Sequence, residues 1–196
     1  MKYTKTLLSL VLVLVLALAL AVPGFATTST EDAGKGSITV SNPQSGETYT
    51  AYKIFDVTYN GTGNYAYYID SEENEWWGDI VEYIAAAADP DTGAYTGNGI
   101  TLTPAENDPT VYYVTRFDTT VAAEFAAFLN SKTEGKIGGK ALSEGSVTGL
   151  ELGYYFVTTG VGSLCNLTTT APSVTINDKN EVKFDKDGQI IRDGEE

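Results

Sequence analysis

The sequence predicts a mainly β fold, an immunoglobulin-like β-sandwich carrying two short helical insertions. Three observations lead there. Short runs rich in β-branched and aromatic residues recur at even spacing along residues 36–184. Clusters of Gly, Asn, Asp and Pro separate those runs, which is turn chemistry. Two segments alone switch from a period of two to helical spacing.

Gly36 to Val40 alternates like a short strand, and Asn42-Pro43-Gln44-Ser45-Gly46 follows as a turn. Thr48 to Thr58 is the strongest strand signal. Its Tyr49, Ala51, Phe55 and Val57 share one face if the alternation is regular. Asn60-Gly61-Thr62-Gly63 turns the chain, and Tyr65 to Asp70 returns as the second arm of a hairpin. Trp76, Trp77, Ile80, Val81, Ile84, Ala85 and Ala88 then recur at helical spacing, with Pro90 as the stop. Asp89 to Gly99 reads as a loop, and Ile100 to Thr103 and Thr110 to Arg116 as strands. Asp118-Thr119-Thr120 offers an N-cap to a second helix over 119–131, whose stripe is Val121, Phe125, Phe128 and Leu129. Lys132 to Gly145 is a Gly/Lys-rich loop. Ser146 to Leu150, Gly153 to Thr159 and Ser173 to Asn177 are strands, which Val182-Lys183-Phe184 extends. The helices are expected to cover one edge or end of the sandwich, with Trp76/Trp77 and Phe125/Phe128 turned inward, because an exposed apolar stripe aggregates.

The chain carries the marks of export. Lys2 and Lys5 precede an apolar run from Leu7 to Val22, and Gly24 and Ala26 supply the small residues of a cleavage site. Residues 1–26 therefore read as a signal peptide, cut between Ala26 and Thr27. The run is shorter than the ~20 apolar residues of a spanning helix, and no cysteine lies at the junction to accept a lipid. Residues 27–35 read as a flexible leader, 36–184 as the domain and 185–196 as a charged tail. Cleavage removes two lysines and no acid, so the net charge moves from −14 to −16. That charge repels nucleic acid and anionic membrane surfaces, so neither is an expected partner after signal cleavage. About 170 residues suit one domain with a core of useful size.

Histidine is absent, which excludes Ser-His-Asp and Cys-His catalysis and the usual His-rich zinc sites. The single cysteine, Cys165, excludes an internal disulfide and reads as a small buried hydrophobe. Asp89-Pro90-Asp91-Thr92-Gly93 and Asp185-Lys186-Asp187-Gly188 lack the full ligand spacing of a calcium loop and read as turns. The expectation is thus no metal, no cofactor and no enzyme. Asn60-Gly61-Thr62 and Asn166-Leu167-Thr168 match the N-glycosylation acceptor pattern. Tyr154-Tyr155 is an aromatic pair of the kind that stacks on sugars, or that fills a core.

Several stretches, taken in order, resemble the N-terminal domain of Gram-positive fimbrial backbone pilins. They are Gly36 to Val40 followed by Gly46 to Asp56, then Ala123 to Lys132, then Thr148 to Ser163, then Ala171 to Asn180. The resemblance runs from about residue 36 to 186. It implies a subunit of a sortase-assembled covalent pilus, partnered by a pilin-type sortase and by other pilin subunits, at the cell surface or in the cell wall. In that family a lysine amine attacks a thioester held by the sortase, giving an intermolecular isopeptide bond. The run Val174 to Asn180 is similar to the motif that carries this lysine. Lys179 and Asn180 match, while Asn177 and Asp178 stand where the family has Tyr-Pro. Related collagen-adhesin domains close an internal Lys–Asn or Lys–Asp bond beside an acid. Residues 38–41 hold no lysine, and Thr158 and Thr159 occupy the place of the acid, so no internal bond is expected. The chain ends at Glu196 with no LPXTG-type signal, which fits a truncated pilin or a stand-alone domain of this type. The competing reading is a secreted β-sandwich adhesin or carbohydrate-binding module using exposed Tyr and Trp.

Overall fold

β-branched and aromatic residues in alternation make strands here because one or both faces of each run are buried. The computed structural model describes residues 35–59 and 64–178. Among them are eleven strands: β1 (Gly36–Ser41), β2 (Thr50–Tyr59), β3 (Tyr65–Asp70), β4 (Tyr95–Gly97), β5 (Ile100–Ala105), β6 (Asp108–Phe117), β7 (Lys140–Ala141), β8 (Ser146–Leu150), β9 (Gly153–Val157), β10 (Ser163–Leu167) and β11 (Ser173–Asn177). Two helices join them, α1 (Trp77–Ile84) and α2 (Ala122–Ser131), the second entered through a 3-10 turn at Thr119–Val121. The larger sheet runs β10-β9-β2-β3-β6-β5-β4, with β7 paired to the start of β2. The smaller runs β11-β1-β8. The expected β-sandwich with two short helices is what forms.

The smaller sheet packs on one face of the larger one. Ile38 and Val40 of β1, Leu150 of β8 and Ile176 of β11 meet Ala51, Tyr155, Val157, Cys165 and Leu167 in one core. A second core fills the opposite face of the larger sheet. There Tyr52, Ile54, Phe55, Ile69, Ile100, Leu102 and Phe156 meet Trp76, Ile80 and Ile84 from the α1 side and Phe125 and Leu129 of α2. The helices thus cover a face of the sheet, not an edge or end as the sequence suggested. Burying a side chain of this size contributes about 1.5–3 kcal/mol, so both layers are strongly held. Trp76 and Phe125 are buried, and Trp77 and Phe128 pack partly buried against the same core. Among the described residues no helix is long and apolar enough to cross a membrane.

Several local expectations need correction. Phe55 does not share a face with Ala51. Against β9, Lys53 pairs with Tyr155 and Phe55 with Tyr154, so Ile54 is an extra residue in β2. This bulge turns Ile54 and Phe55 both into the helix-side core. Helix α1 ends well before Pro90, at Ala85, which takes the left-handed conformation (φ 55°) and donates its N–H to Val81 O. The 89–99 loop contains β4 and the 132–145 loop contains β7. Ser163 to Leu167, around Cys165, is the edge strand β10, an element the sequence did not predict. The segments expected to be a signal peptide (1–26), a turn (60–63), a strand extension (182–184) and a charged tail (185–196) lie outside the described residues.

Candidate functional site

Strand β11 runs parallel to β1, in register from Ser37–Ser173 to Ser41–Asn177. A parallel neighbour is possible because the two strands lie far apart in sequence and need no tight turn. The side chain of Ser41 closes the end of this pair, donating from Oγ to Ile176 O at 3.2 Å and to Asn177 Oδ1. One residue further, the Asp178 carboxylate accepts from the Tyr49 hydroxyl at 2.7 Å and from Gly160 N–H at 3.3 Å. Tyr49 is itself buried, and its hydroxyl accepts from Gln44 N–H at 2.9 Å. Burial first, and then the bond to Asp178, raise the Tyr49 pKa above the usual tyrosine value, so the phenol stays protonated and donates. Asp178 is therefore pinned by the β2 entry and by the turn after β9. Lys179 and Asn180, the candidate acyl acceptor and its neighbour, lie outside the described residues, next in chain to this anchored position.

The Tyr49–Asp178 pairing was not foreseen from sequence. Its one available signal was a tyrosine on the buried face of a strand, since such a hydroxyl needs a partner.

A second charged cluster forms at Lys53. Its Nζ lies 2.6 Å from Asp56 Oδ1 and 2.5 Å from Glu151 Oε2. Residues i and i+3 of a regular strand point to opposite faces. The bulge at Ile54 brings Lys53 and Asp56 to the same one. Burial by itself would lower the lysine pKa, but the two carboxylates reverse this and raise it above the ordinary value. The lysine bond lowers the Glu151 pKa in turn. This ammonium is a poor nucleophile. Thr158 and Thr159 serve the sandwich instead of chemistry: Thr158 Oγ accepts from Thr50 N–H at 2.8 Å, and Thr159 Oγ shares a hydrogen bond of 3.2 Å with Ser163 Oγ.

The remaining sequence candidates resolve into structure. Asp89 accepts from the backbone N–H of Asp91 and Thr92 and from the Thr92 hydroxyl, which lowers its pKa and makes the expected turn. Among the described residues no cluster of three or more potential ligands could hold a metal. Cys165 is buried, and burial pushes its thiol up to about 12, so it behaves as a hydrophobe at neutral pH. Tyr155 is buried, and Tyr154 packs against Phe55, Tyr67 and Phe117 with ring centroids 5.7–5.9 Å apart. Burial pushes both phenols up to about 12. Trp76 is buried beneath Lys136, and Trp77 is wedged between Tyr95 and Tyr112. Asn166 is exposed on β10, within 3.4 Å of the Tyr67 hydroxyl. Comparison of the chain with protein-family models, with curated proteins and with solved structures returned no match.

Proposed function

We propose that this chain is a secreted, non-enzymatic structural subunit of a sortase-assembled surface pilus, with Lys179 as the acyl acceptor. The reading rests on the order and spacing of the pilin-like stretches. It is supported by one observation above all, the anchoring of Asp178 by Tyr49 and Gly160 at the end of β11. An acceptor amine must be delivered repeatedly to a thioester inside a second protein, and a fixed base for the residue before it lowers the entropic cost of delivery. The amine loses its proton and attacks the thioester carbonyl. The carbon–sulfur bond breaks, the sortase cysteine leaves as thiolate, and an amide remains. An ordinary lysine has a pKa near ~10.4, so this deprotonation has to be assisted within the sortase complex.

The sugar-binding alternative is weakened by where its aromatic residues go. Both tryptophans and the Tyr154-Tyr155 pair are committed to packing. The test is incubation of the secreted chain with a pilin-type sortase and a labelled LPXTG peptide, beside the Lys179→Ala variant. Labelling of the parent that is lost in Lys179→Ala supports the proposal. Labelling that survives the substitution, or none of the parent, overturns it.

A further inference from the structure

Among the described residues β1 is the first strand and β11 the last, and the two are parallel neighbours. Ser37 therefore stands beside Ser173 at one end of the ladder, and Ser41 beside Asn177 at the other. The chain enters β1 at the first end and leaves β11 at the second. A pull on these two flanks draws β1 one way along the strand axis and β11 the other way. Such a load shears the ladder, so its hydrogen bonds resist together. In an antiparallel hairpin the flanks lie at one end, and the same pull peels the bonds apart one after another.

Each end of the ladder is tied by more than the regular pairing. At the entry, Ser37 N–H donates to Pro172 O at 2.8 Å and Ser37 Oγ to Ser173 Oγ at 2.9 Å. At the exit, Ser41 Oγ donates to Ile176 O at 3.2 Å, and Asp178 is held by Tyr49 and Gly160. β1 is gripped on its other side as well. Val40 N–H donates to Gly145 O at 2.7 Å, and Thr39 Oγ shares a hydrogen bond of 3.2 Å with Ser146 Oγ of β8. Ile38, Val40 and Ile176 are buried in the first core. Pairing one residue out of register would turn this apolar face outward. The first register in which β1 could pair again thus lies two residues away, about 6–7 Å along the strand. Shear meets one large barrier, where peeling meets a series of small ones.

We infer that the β1–β11 pair is a mechanical clamp, loaded in shear by tension that enters before β1 and leaves after β11. The domain resists extension along this axis and yields more readily when the same ladder is opened from one end. The clamp is a property of these two strands and the core beneath them. It does not use the reading of Lys179 as an acceptor, so either can fail alone.

The test is single-molecule force spectroscopy on the full secreted chain, held through cysteine handles. Lys35, Ser45 and Asn177 are exposed and can carry them, while Cys165 is buried. Lys35→Cys/Asn177→Cys places the load at opposite ends of the ladder, in shear. Ser45→Cys/Asn177→Cys places it at one end, because Ser45 lies in the turn that follows β1. Both proteins share the Asn177→Cys change, so a difference between them reports the direction of the load. Forced unfolding reads the barrier to leaving the native state. At one loading rate the shear pair should unfold at a force at least about twofold higher than the end-loaded pair. Equal forces, or a lower force for the shear pair, would overturn the inference.

Discussion

Tyr49 and Asp178, 129 residues apart in the chain, meet through a hydrogen bond of 2.7 Å from phenol to carboxylate. The same phenol accepts from Gln44 N–H. Tyr49→Phe removes both bonds and leaves the ring packing intact. We expect a loss of about 1–2 kcal/mol, because a backbone donor and a carboxylate each lose a partner. Urea unfolding of the two proteins measures it. An unchanged midpoint would mean that the bond does not help to hold the end of β11.

Stability should fall in alkali, starting near pH 9. Burial pushes Tyr154 and Tyr155 from their ordinary value of 10 up to about 12, and Cys165 from 9 up to about 12. A folded pKa raised above the unfolded one means that the contribution is fully present below the unfolded value. It is lost as pH rises toward the folded value, here between 9 and 12. Tyr65 is lowered by its bonds to Thr169 and Thr170 and opposes the trend from the surface. Urea midpoints taken from pH 7 to 11 should be flat and then decline. Cys165→Ala should move the onset from about 9 toward 10. A flat profile to pH 11 contradicts the assignment of these groups as buried and neutral.

The strands legible in the sequence were those whose pattern is local. Thr50 to Tyr59 and Tyr65 to Asp70 announce themselves by β-branched and aromatic residues, and Asp118 caps the 3-10 turn by accepting from Thr120 N–H, as its position suggested. What stayed hidden depends on distant partners. The extra residue at Ile54 is visible only against β9, and it moves Phe55 to the other core. β10 has Leu164 on one face and Cys165 and Leu167 on the other, so its five residues carry no clear alternation of polarity. β4 and β7 are two or three residues long and are made by their neighbours. Of the candidate site, the lysine was legible as a motif position, while the Tyr49 anchor of its neighbour was a tertiary fact.

The end of α1 is locally strained. Ala85 adopts φ 55° at an exposed position to satisfy the last turn, a conformation that costs a residue with a Cβ about 1–2 kcal/mol. Ala85→Gly should therefore stabilise the domain by about 1 kcal/mol. Gly97, in β4, sits against the same helix end, where an added Cβ would lie 2.1 Å from Ile84 O. Gly97→Ala should cost more than about 2 kcal/mol, because backbone has to move. Thermal unfolding of both variants checks the pair. A lower melting temperature for Ala85→Gly would show that the αL position is not limiting.

Lys53, Asp56 and Glu151 lie close enough to invite comparison with an amide-forming triad. The raised lysine pKa argues for an ion cluster instead. The intact mass of the purified chain should equal the sum of its residue masses plus one water for the termini, with no further loss of one water or one ammonia. A loss mapped to a peptide joining Lys53 to Asp56 or Glu151 would reverse this reading. Lys53→Met should cost about 1 kcal/mol, since both carboxylates keep access to solvent.

Lys136 presents the opposite situation, an ion pair with little access to water. Its Nζ lies 2.5 Å from Asp79 Oδ2 and from Glu75 O, and 4.5 Å above the Trp76 ring. The two side chains of the pair are only 13% and 20% exposed, so each charge depends on the other. The Glu75 carboxylate in turn accepts from Ile137 N–H and Gly138 N–H at 2.9 Å, which fastens the loop after α2 to the entry of α1. Removing one partner of such a pair leaves the other poorly solvated and costs up to about 3–5 kcal/mol, and the cation–π contact adds about 1. Lys136→Ala should therefore destabilise the domain by at least about 2 kcal/mol, well beyond Lys53→Met. It should also free the loop, so that limited proteolysis cuts near Ile137, which is 91% exposed, faster than in the parent. Asp79→Asn in the Lys136→Met background should restore part of the loss, because neither charge then remains buried alone. Equal costs for Lys136→Ala and Lys53→Met would show that the depth of the pair does not set its worth.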